Sequence, residues 1–312
     1  MCLAMVLSMI KQLLLYKIND DTFQFPTNFH EIIEKNMAFK GCAPRDTEQD
    51  GFILVQPTFL YSFEVRDTGL NVSVATFQRQ KKVIPSTELK RRVKARLAQL
   101  KSKNVNLNKD SRDDVEYEMK RTMAETAFST FTPYFVIFFH DLQMLGINAS
   151  ESIADEIASF IRKRMPNSSF PVVPYGNKAI QPYLLSCIVD NEDAVVGSVA
   201  HMLNESDKSE ISFKNKSNEE LEEKAKTHRI TKLSLELADI HLTLCDSTPL
   251  SLSSMKTVCE LEKVKKSMDH DQKLEIFDSN IRLELSAIQQ AIHMLINLDE
   301  SVANESYEEP TG

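Results

Sequence analysis

The stretch FLYSFEVRDTGLNVSVATFQRQKKVIPSTELKRRVKARLAQLKSK, residues 59–103, changes its period once and its charge once. Phe59–Val65 and Leu70–Phe77 read as two strands, with Asp67-Thr68-Gly69 between them as a hairpin signal. Pro85-Ser86 then breaks the pattern, and Ser86 is placed to cap a helix running to about Lys103. A hairpin that feeds directly into a charged helix sets the expectation of an α+β fold.

The helix carries the chain's strongest chemical signal. From Arg79 to Lys103 the cations are Arg79, Lys81, Lys82, Lys90, Arg91, Arg92, Lys94, Arg96, Lys101 and Lys103, and Glu88 is the only acid. These residues sum to +9 (ten cations less one acid) in a chain whose total is −8. On a helix, Leu89, Val93, Leu97 and Leu100 share one narrow face. Lys90, Lys94 and Lys101 line one flank of it, and Arg92, Arg96 and Lys103 the other. Solvated helix faces normally mix signs, because like charges at i,i+4 repel by a few tenths of a kcal/mol. A run without local acids therefore points to an external polyanion, DNA or RNA; the alternative is a protein-interaction adaptor whose basic helix docks an acidic partner. The acidic remainder does not exclude this, since exposed charges are screened beyond roughly 8–10 Å at physiological salt.

Around this stretch, Leu13–Ile18 reads as a strand and Asn28–Asn36 as a helix with Phe29, Ile32 and Ile33 on one face. Asn104–Ser111 is loop-like, a second charged helix runs to about Glu125, and Phe128–Phe139 has strand character. A helix from Ser150 turns Ile153, Ile157, Phe160 and Ile161 inward, and Phe170–Tyr175 holds a short strand. Asn191–Leu203 reads as a helix with Val195, Val199 and Met202 inward, and Ser217 to Glu220 fits a capping box. Arg229–Leu237 and Ile240–Cys245 alternate as strands, and Ile281–Leu298 is a helix. The elements interleave without a βαβα rhythm, so the expectation is α+β with mixed or antiparallel sheets. Four subregions are expected: residues 1–84 with 127–175 as a β-rich core, 86–126 as the basic helical region, 176–298 as a C-terminal α+β region, and 299–312 as an acidic, disordered tail.

Several chemistries find no motif. The 7 glycines include no pair closer than Gly41 and Gly51, so neither common phosphate-cradling loop exists. The five cysteines are scattered without a C-x-x-C pair, and no histidine lies near one at metal-ligand spacing; neither a disulfide framework nor a metal site is expected. Met1–Ile10 is apolar but lacks a basic lead, and Lys11 interrupts it far short of the ~20 residues a membrane-crossing helix needs. No cofactor is expected, and the location is cytoplasmic.

Three weaker features remain. Asp67 followed by the E-x-K triplet Glu88-Leu89-Lys90 has the order of a Mg²⁺-dependent nuclease. On a helix, however, Glu88 and Lys90 point about 200° apart. Lys214 and Lys216 form a small basic loop. Ile281, Leu285, Ile288, Ile292 and Leu295 follow a 4-3-4-3 spacing, read either as a seam for a partner helix or as packing on the chain's own sheet.

Several segments, in order along nearly the whole chain, resemble the recombination-associated RdgC family. They are Asn36-Met37-Ala38-Phe39, Lys82-Val83-Ile84-Pro85-Ser86, Ala127-Phe128-Ser129-Thr130-Phe131 and Pro171-Val172-Val173-Pro174. Thr231-Lys232-Leu233-Ser234-Leu235, Cys245-Asp246 and Glu284-Leu285-Ser286-Ala287-Ile288 complete the set. The resemblance implies a non-enzymatic protein that binds double-stranded DNA with little sequence preference. It also implies a curved subunit of a ring-shaped homodimer around the duplex, restraint of RecA, and association with the nucleoid. It places the family's basic helix on the one after Pro85-Ser86, with Lys90, Arg91, Arg92, Lys94, Arg96, Lys101 and Lys103, and a DNA-contacting protrusion near Lys214 and Lys216; Lys81 and Lys82, just before that helix, are further DNA-binding candidates. Phe128 matches a subunit contact, with Leu285, Ile288 and Ile292 as further candidates for contact between copies. Family arginines flanking that phenylalanine are replaced by Thr126 and Thr130, so those DNA contacts are either lost or supplied by Lys120 and Arg121, a turn earlier.

Overall fold

The structure, a computed structural model, describes residues 10–305 apart from 20–22, 24, 27, 56–59, 61, 68, 104–107, 167–169, 190–193, 264 and 266. Its strands are β1 (Gln12–Ile18), β2 (Glu48–Ile53), β3 (Ser62–Asp67), β4 (Leu70–Lys82), β5 (Ser129–Phe139) and β6 (Met144–Ile147). They continue as β7 (Val172–Pro174), β8 (Val195–Leu203), β9 (Glu210–Lys214), β10 (Arg229–Glu236), β11 (Ile240–Cys245) and β12 (Ser251–Thr257). The helices are α1 (Phe29–Ile32, widening into a π-turn over Ile33–Met37), α2 (Ser86–Ser102), α3 (Lys109–Ala124) and α4 (Glu151–Arg164). After them come α5 (Ile180–Val189), α6 (Asn218–Ala225) and α7 (His270–Glu305).

All twelve strands belong to one sheet, in the order β2-β4-β5-β6-β1-β12-β11-β10-β8-β9. The named strands pair antiparallel throughout. β7 pairs with β1, while β2 and β3 lie end to end along one edge of β4, against Thr76–Lys81 and Leu70–Ala75. The fold is α+β, as expected. The hairpin sits where the sequence placed it: Asp67 pairs with Leu70, and Gly69 takes a φ of 78°, which a side chain would strain. Phe59, Tyr61 and Thr68 lie outside the described residues, as do Asn104–Leu107 and Asn191–Asp193.

Two apolar cores, one on each face of the central strands, account for the near-continuous hydrophobic run of β5. Phe135, Ile137 and Phe139 enter one core, and Val136 and Phe138 the other. β4 divides Val72 and Val74 from Ala75 and Phe77 in the same way, and β1 divides Leu13 and Leu15 from Leu14 and Tyr16. This is the period-2 alternation of a strand covered on both sides. α5 and α7 close the first face with Leu184, Ile188, Ile281 and Leu285. α1 and α4 close the second with Phe29, Ile33, Ile157 and Ile161. Beyond β12 the cover is one-sided: Leu233 and Leu235 of β10 are buried, while Lys232 and Glu236 are exposed.

Three readings are corrected. Val195–Leu203 is strand β8 rather than the end of a helix, with Ala200 and Met202 buried and Val195 59% exposed. Val195, Val196 and Val199 are β-branched and find partners in β10 and β9, and that pairing overrides a helical spacing of apolar residues. Leu285, Ile288 and Ile292 are 0–3% exposed beneath α7, packed in the chain's own core and not offered to a partner. α7 also continues to Glu305, because acids without an intervening Pro or Gly do not end a helix; residues 306–312 lie outside the described residues.

Candidate nucleic-acid interface

The sheet positions the basic helix through one junction. Lys82, the last residue of β4, pairs with Ser129, the first of β5, and the helices α2 and α3 between them form an arm. Val83 extends the junction by donating its N–H to the Phe128 carbonyl at 2.8 Å. α2 begins after Pro85, whose fixed φ suits a helix start, and Ser86 is its first residue, with no side-chain cap. α3 is capped by Asn108, whose Oδ1 accepts from the Ser111 N–H at 2.8 Å. The arm buries little: only Leu89 on α2, and Met123 and Ala124 on α3. With so little packing beneath it, the cap matters. Asn108→Ala is expected to destabilise α3 by about 1 kcal/mol. Native-state hydrogen exchange checks this: faster exchange confined to residues 109–112 supports the cap's role, and unchanged exchange refutes it.

Along α2, α3 and the ends of β2 and β4 runs a groove of about 920 Å³. Its floor is aliphatic, formed by Ile84, Leu89, Val93, Leu97 and Ala98. One rim carries Lys90, Lys94 and Lys101 of α2, and the other Arg112 and Lys120 of α3, with Lys81 and Lys82 at the base. The groove takes one flank of the basic helix, while Arg92, Arg96 and Lys103 stand on the other. The stripe of Val93 and Leu97 is only partly buried, because α3 turns Arg112, Glu116 and Lys120, one helical face, toward it.

The cations of the stretch are not equivalent. Arg79 is an internal residue, its side chain 14% exposed between Glu48 at 2.9 Å, Asp50 at 2.8 Å and Glu156 at 2.6 Å. Its hydrogen bonds to Asp50 and then Glu156, with the nearby charge of Glu48, raise its pKa further, so it stays charged but is neutralised locally. Glu88 accepts from both Arg91 and Arg92 at 2.7 Å, which lowers its pKa to about 2. Lys120 pairs with Glu116 at 2.8 Å, and Arg121 lies over the Tyr117 ring. Lys90, Lys94, Arg96, Lys101 and Lys103 have no carboxylate within ion-pairing distance among the described residues.

The remaining candidates fall elsewhere. Lys214 ends β9, the opposite edge of the sheet, and Lys216 pairs with Glu220 at 3.0 Å. Eight strand spacings separate β9 from β4, roughly 38 Å measured along the sheet. The loop and the arm are therefore separate within one subunit. Phe128 is 87% exposed at the root of the arm, and beside it Phe131 is 55% exposed, with its ring edge-on to Phe39. Thr130 donates its hydroxyl to the Lys81 carbonyl at 3.1 Å and serves the sheet.

The nuclease reading is not assembled. Asp67 ends β3 at one end of β4, and Glu88 and Lys90 follow its other end. The 13 residues of β4 put roughly 40 Å between them. Glu88 is also occupied by its two arginines. Among the described residues no three His, Cys, Asp or Glu side chains cluster to hold a metal ion, and no helix is long and apolar enough to cross a membrane.

Sequence reasoning missed Arg112. α3 is acid-rich around it, at Asp110, Asp113, Asp114 and Glu116, so a charge count hides a cation that joins the rim. A helical-wheel reading of Arg112, Glu116 and Lys120 would have found that face. Compared with known families, residues 9–300 match the one described as "RdgC: Putative exonuclease, RdgC".

Proposed function

Because the chain belongs to the RdgC family, we propose that it binds double-stranded DNA without sequence preference, as a ring-shaped homodimer, and performs no chemistry on it. The observation that carries this reading is the row Lys90, Lys94 and Lys101, exposed on an arm that buries almost nothing else and lacking intramolecular acid partners. Lysines and arginines on a rigid helix neutralise phosphates and read no bases. Lys82, Arg96 and Lys103 extend the basic surface of the arm. Lys81, Arg91, Arg92, Lys120 and Arg121 join it more weakly, each already holding an acid or a ring. Lys214, with Lys216 paired to Glu220, adds a second patch at the far edge of the sheet, which a curved subunit closed by its copy would bring to the same duplex.

Phe128 is the proposed contact between copies, since at 87% exposure, with Phe131 beside it at 55%, it leaves apolar area in water. By occupying the duplex the dimer restrains RecA, and its place is the cytoplasm, on the nucleoid. A gel shift with random-sequence duplex, paired with a measurement of mass in solution, tests the core of this. Binding by a species of twice the chain mass is expected; no binding at low salt would refute it. Phe128→Ala is expected to lower the mass toward one chain, and an unchanged dimer would move the contact elsewhere. Incubation of supercoiled plasmid with Mg²⁺ is expected to leave it intact, and nicking would overturn the non-enzymatic part.

A further inference from the structure

The groove on the arm holds more than a phosphate track requires. Its floor leaves Val93 and Leu97 partly exposed, each forgoing roughly 0.5 kcal/mol of burial. Phosphates gain nothing from aliphatic carbon. None of the lining residues is aromatic, so no platform exists for stacking a nucleobase. The rim is equally specific in sign. Its two acids are committed, Glu48 to Arg79 at 2.9 Å and Glu116 to Lys120 at 2.8 Å. Lys90, Lys94, Lys101 and Arg112 are left without carboxylate partners among the described residues. An apolar floor between a row of unpaired lysines on one side and the unpaired Arg112 on the other is complementary to a segment that is apolar on one face and acidic along both flanks.

We propose that this groove docks an acidic amphipathic helix from a partner protein. From Leu89 to Lys101 the groove spans thirteen residues of α2, roughly 18 Å, which matches a docked helix of about three turns. Aliphatic or aromatic anchors at i, i+4 and i+7 meet Leu89, Val93 and Leu97, and flanking carboxylates meet Lys90, Lys94 and Arg112. The inference stands apart from the DNA reading, because it requires the floor and duplex binding does not. It also implies regulation: the helix and a duplex compete for Lys90 and Lys94, so docking releases DNA.

The test uses the full chain and a fluorescein-labelled, Glu-rich helical probe peptide with leucines at i, i+4, i+7 and i+11. A control peptide has the same charge with each leucine replaced by serine. Fluorescence anisotropy is expected to show the leucine peptide binding roughly tenfold tighter, the scale of 1.4 kcal/mol. V93S/L97S, which changes no charge, is expected to remove that preference while holding duplex affinity within about twofold. Equal binding of both peptides to the unaltered chain would overturn the proposal, and that comparison needs no variant to fold. So would a V93S/L97S chain with native circular dichroism that keeps the preference. A V93S/L97S chain that falls from dimer to monomer would also overturn it, by assigning the floor to a second copy. Peptide preference without duplex binding would sink only the DNA reading, and duplex binding without peptide preference only this one.

Discussion

Replacing Lys90 and Lys94 together by alanine is expected to flatten the salt dependence of duplex binding by about 1.8 units of log K per log salt. The figure is 0.9 for each phosphate a cation neutralises on B-form DNA. Both lysines stand on the same rim of the groove, one turn apart, with no intramolecular acid to share their charge. If the variant and the unaltered chain converge near 1 M salt, where counterion release no longer contributes, they differ at 0.1 M by roughly 60-fold. The internal control is chemical. Arg91 and Arg92 are bound by Glu88, so R91A/R92A exposes that carboxylate as it removes two cations. A slope change shared equally by the two double variants would mean that only bulk charge matters. A slope unchanged in K90A/K94A would remove this rim from the binding surface. Arg79→Ala is expected to act differently, by leaving Glu48, Asp50 and Glu156 without their common cation and so lowering stability.

What was legible in the sequence follows from the range of the interactions concerned. The hairpin at Asp67–Leu70 is local, set by a glycine at positive φ, and it was read correctly. The two flanks of α2 are a matter of helical angle, and the Lys90, Lys94, Lys101 row appears as predicted on one side of the groove. Arg79 looked like its neighbours because its three acids come from β2 and α4, 29 or more residues away. The charge count of +9 therefore overstated what is available to a partner. β8 shows the same limit in secondary structure. Its apolar residues sit at helical spacing, and only the neighbouring strands β9 and β10 decide the matter. The 4-3-4-3 row of α7 was correct as a periodicity but silent about destination, since a stripe that fits a partner helix fits a sheet equally well. The groove was invisible for a related reason: it depends on how far α3 stands from α2, which no single helix encodes.

α7 carries one residue that should be visible in the stability of the whole fold. Glu284 projects from the core-facing side of the helix into a pocket of about 190 Å³ lined by Ile10, Lys11, Ile240, Met255, Lys256 and Ile288. Its Oε2 is buried with no hydrogen-bond partner, and desolvation raises its pKa from the ordinary 4.5 to about 8. The folded chain therefore holds a proton that the unfolded chain releases between roughly pH 4.5 and 8. In that window the native state binds more protons, so stability falls as pH rises; it is fully present below about 4.5 and lost by about 8. At 1.36 kcal/mol per unit, a shift of this size caps the loss at about 5 kcal/mol, and relaxation of the pocket lowers the expected loss to roughly 2–3 kcal/mol. Glu284→Gln keeps the shape and removes the titration. Its urea midpoint is expected to match the unaltered chain near pH 5, exceed it at pH 8.5, and change much less between the two. Glu284→Leu, which leaves no polar atom to desolvate beside Ile288, is expected to be the most stable of the three at high pH. The groups able to spoil this are Lys11 and Lys256, which line the same pocket. If either ammonium swings in to pair with Glu284, the unaltered chain will keep its stability to pH 8.5 and Glu284→Gln will be the weaker protein there. The order of the two midpoints at that pH decides whether the helix holds a buried acid or half of an ion pair.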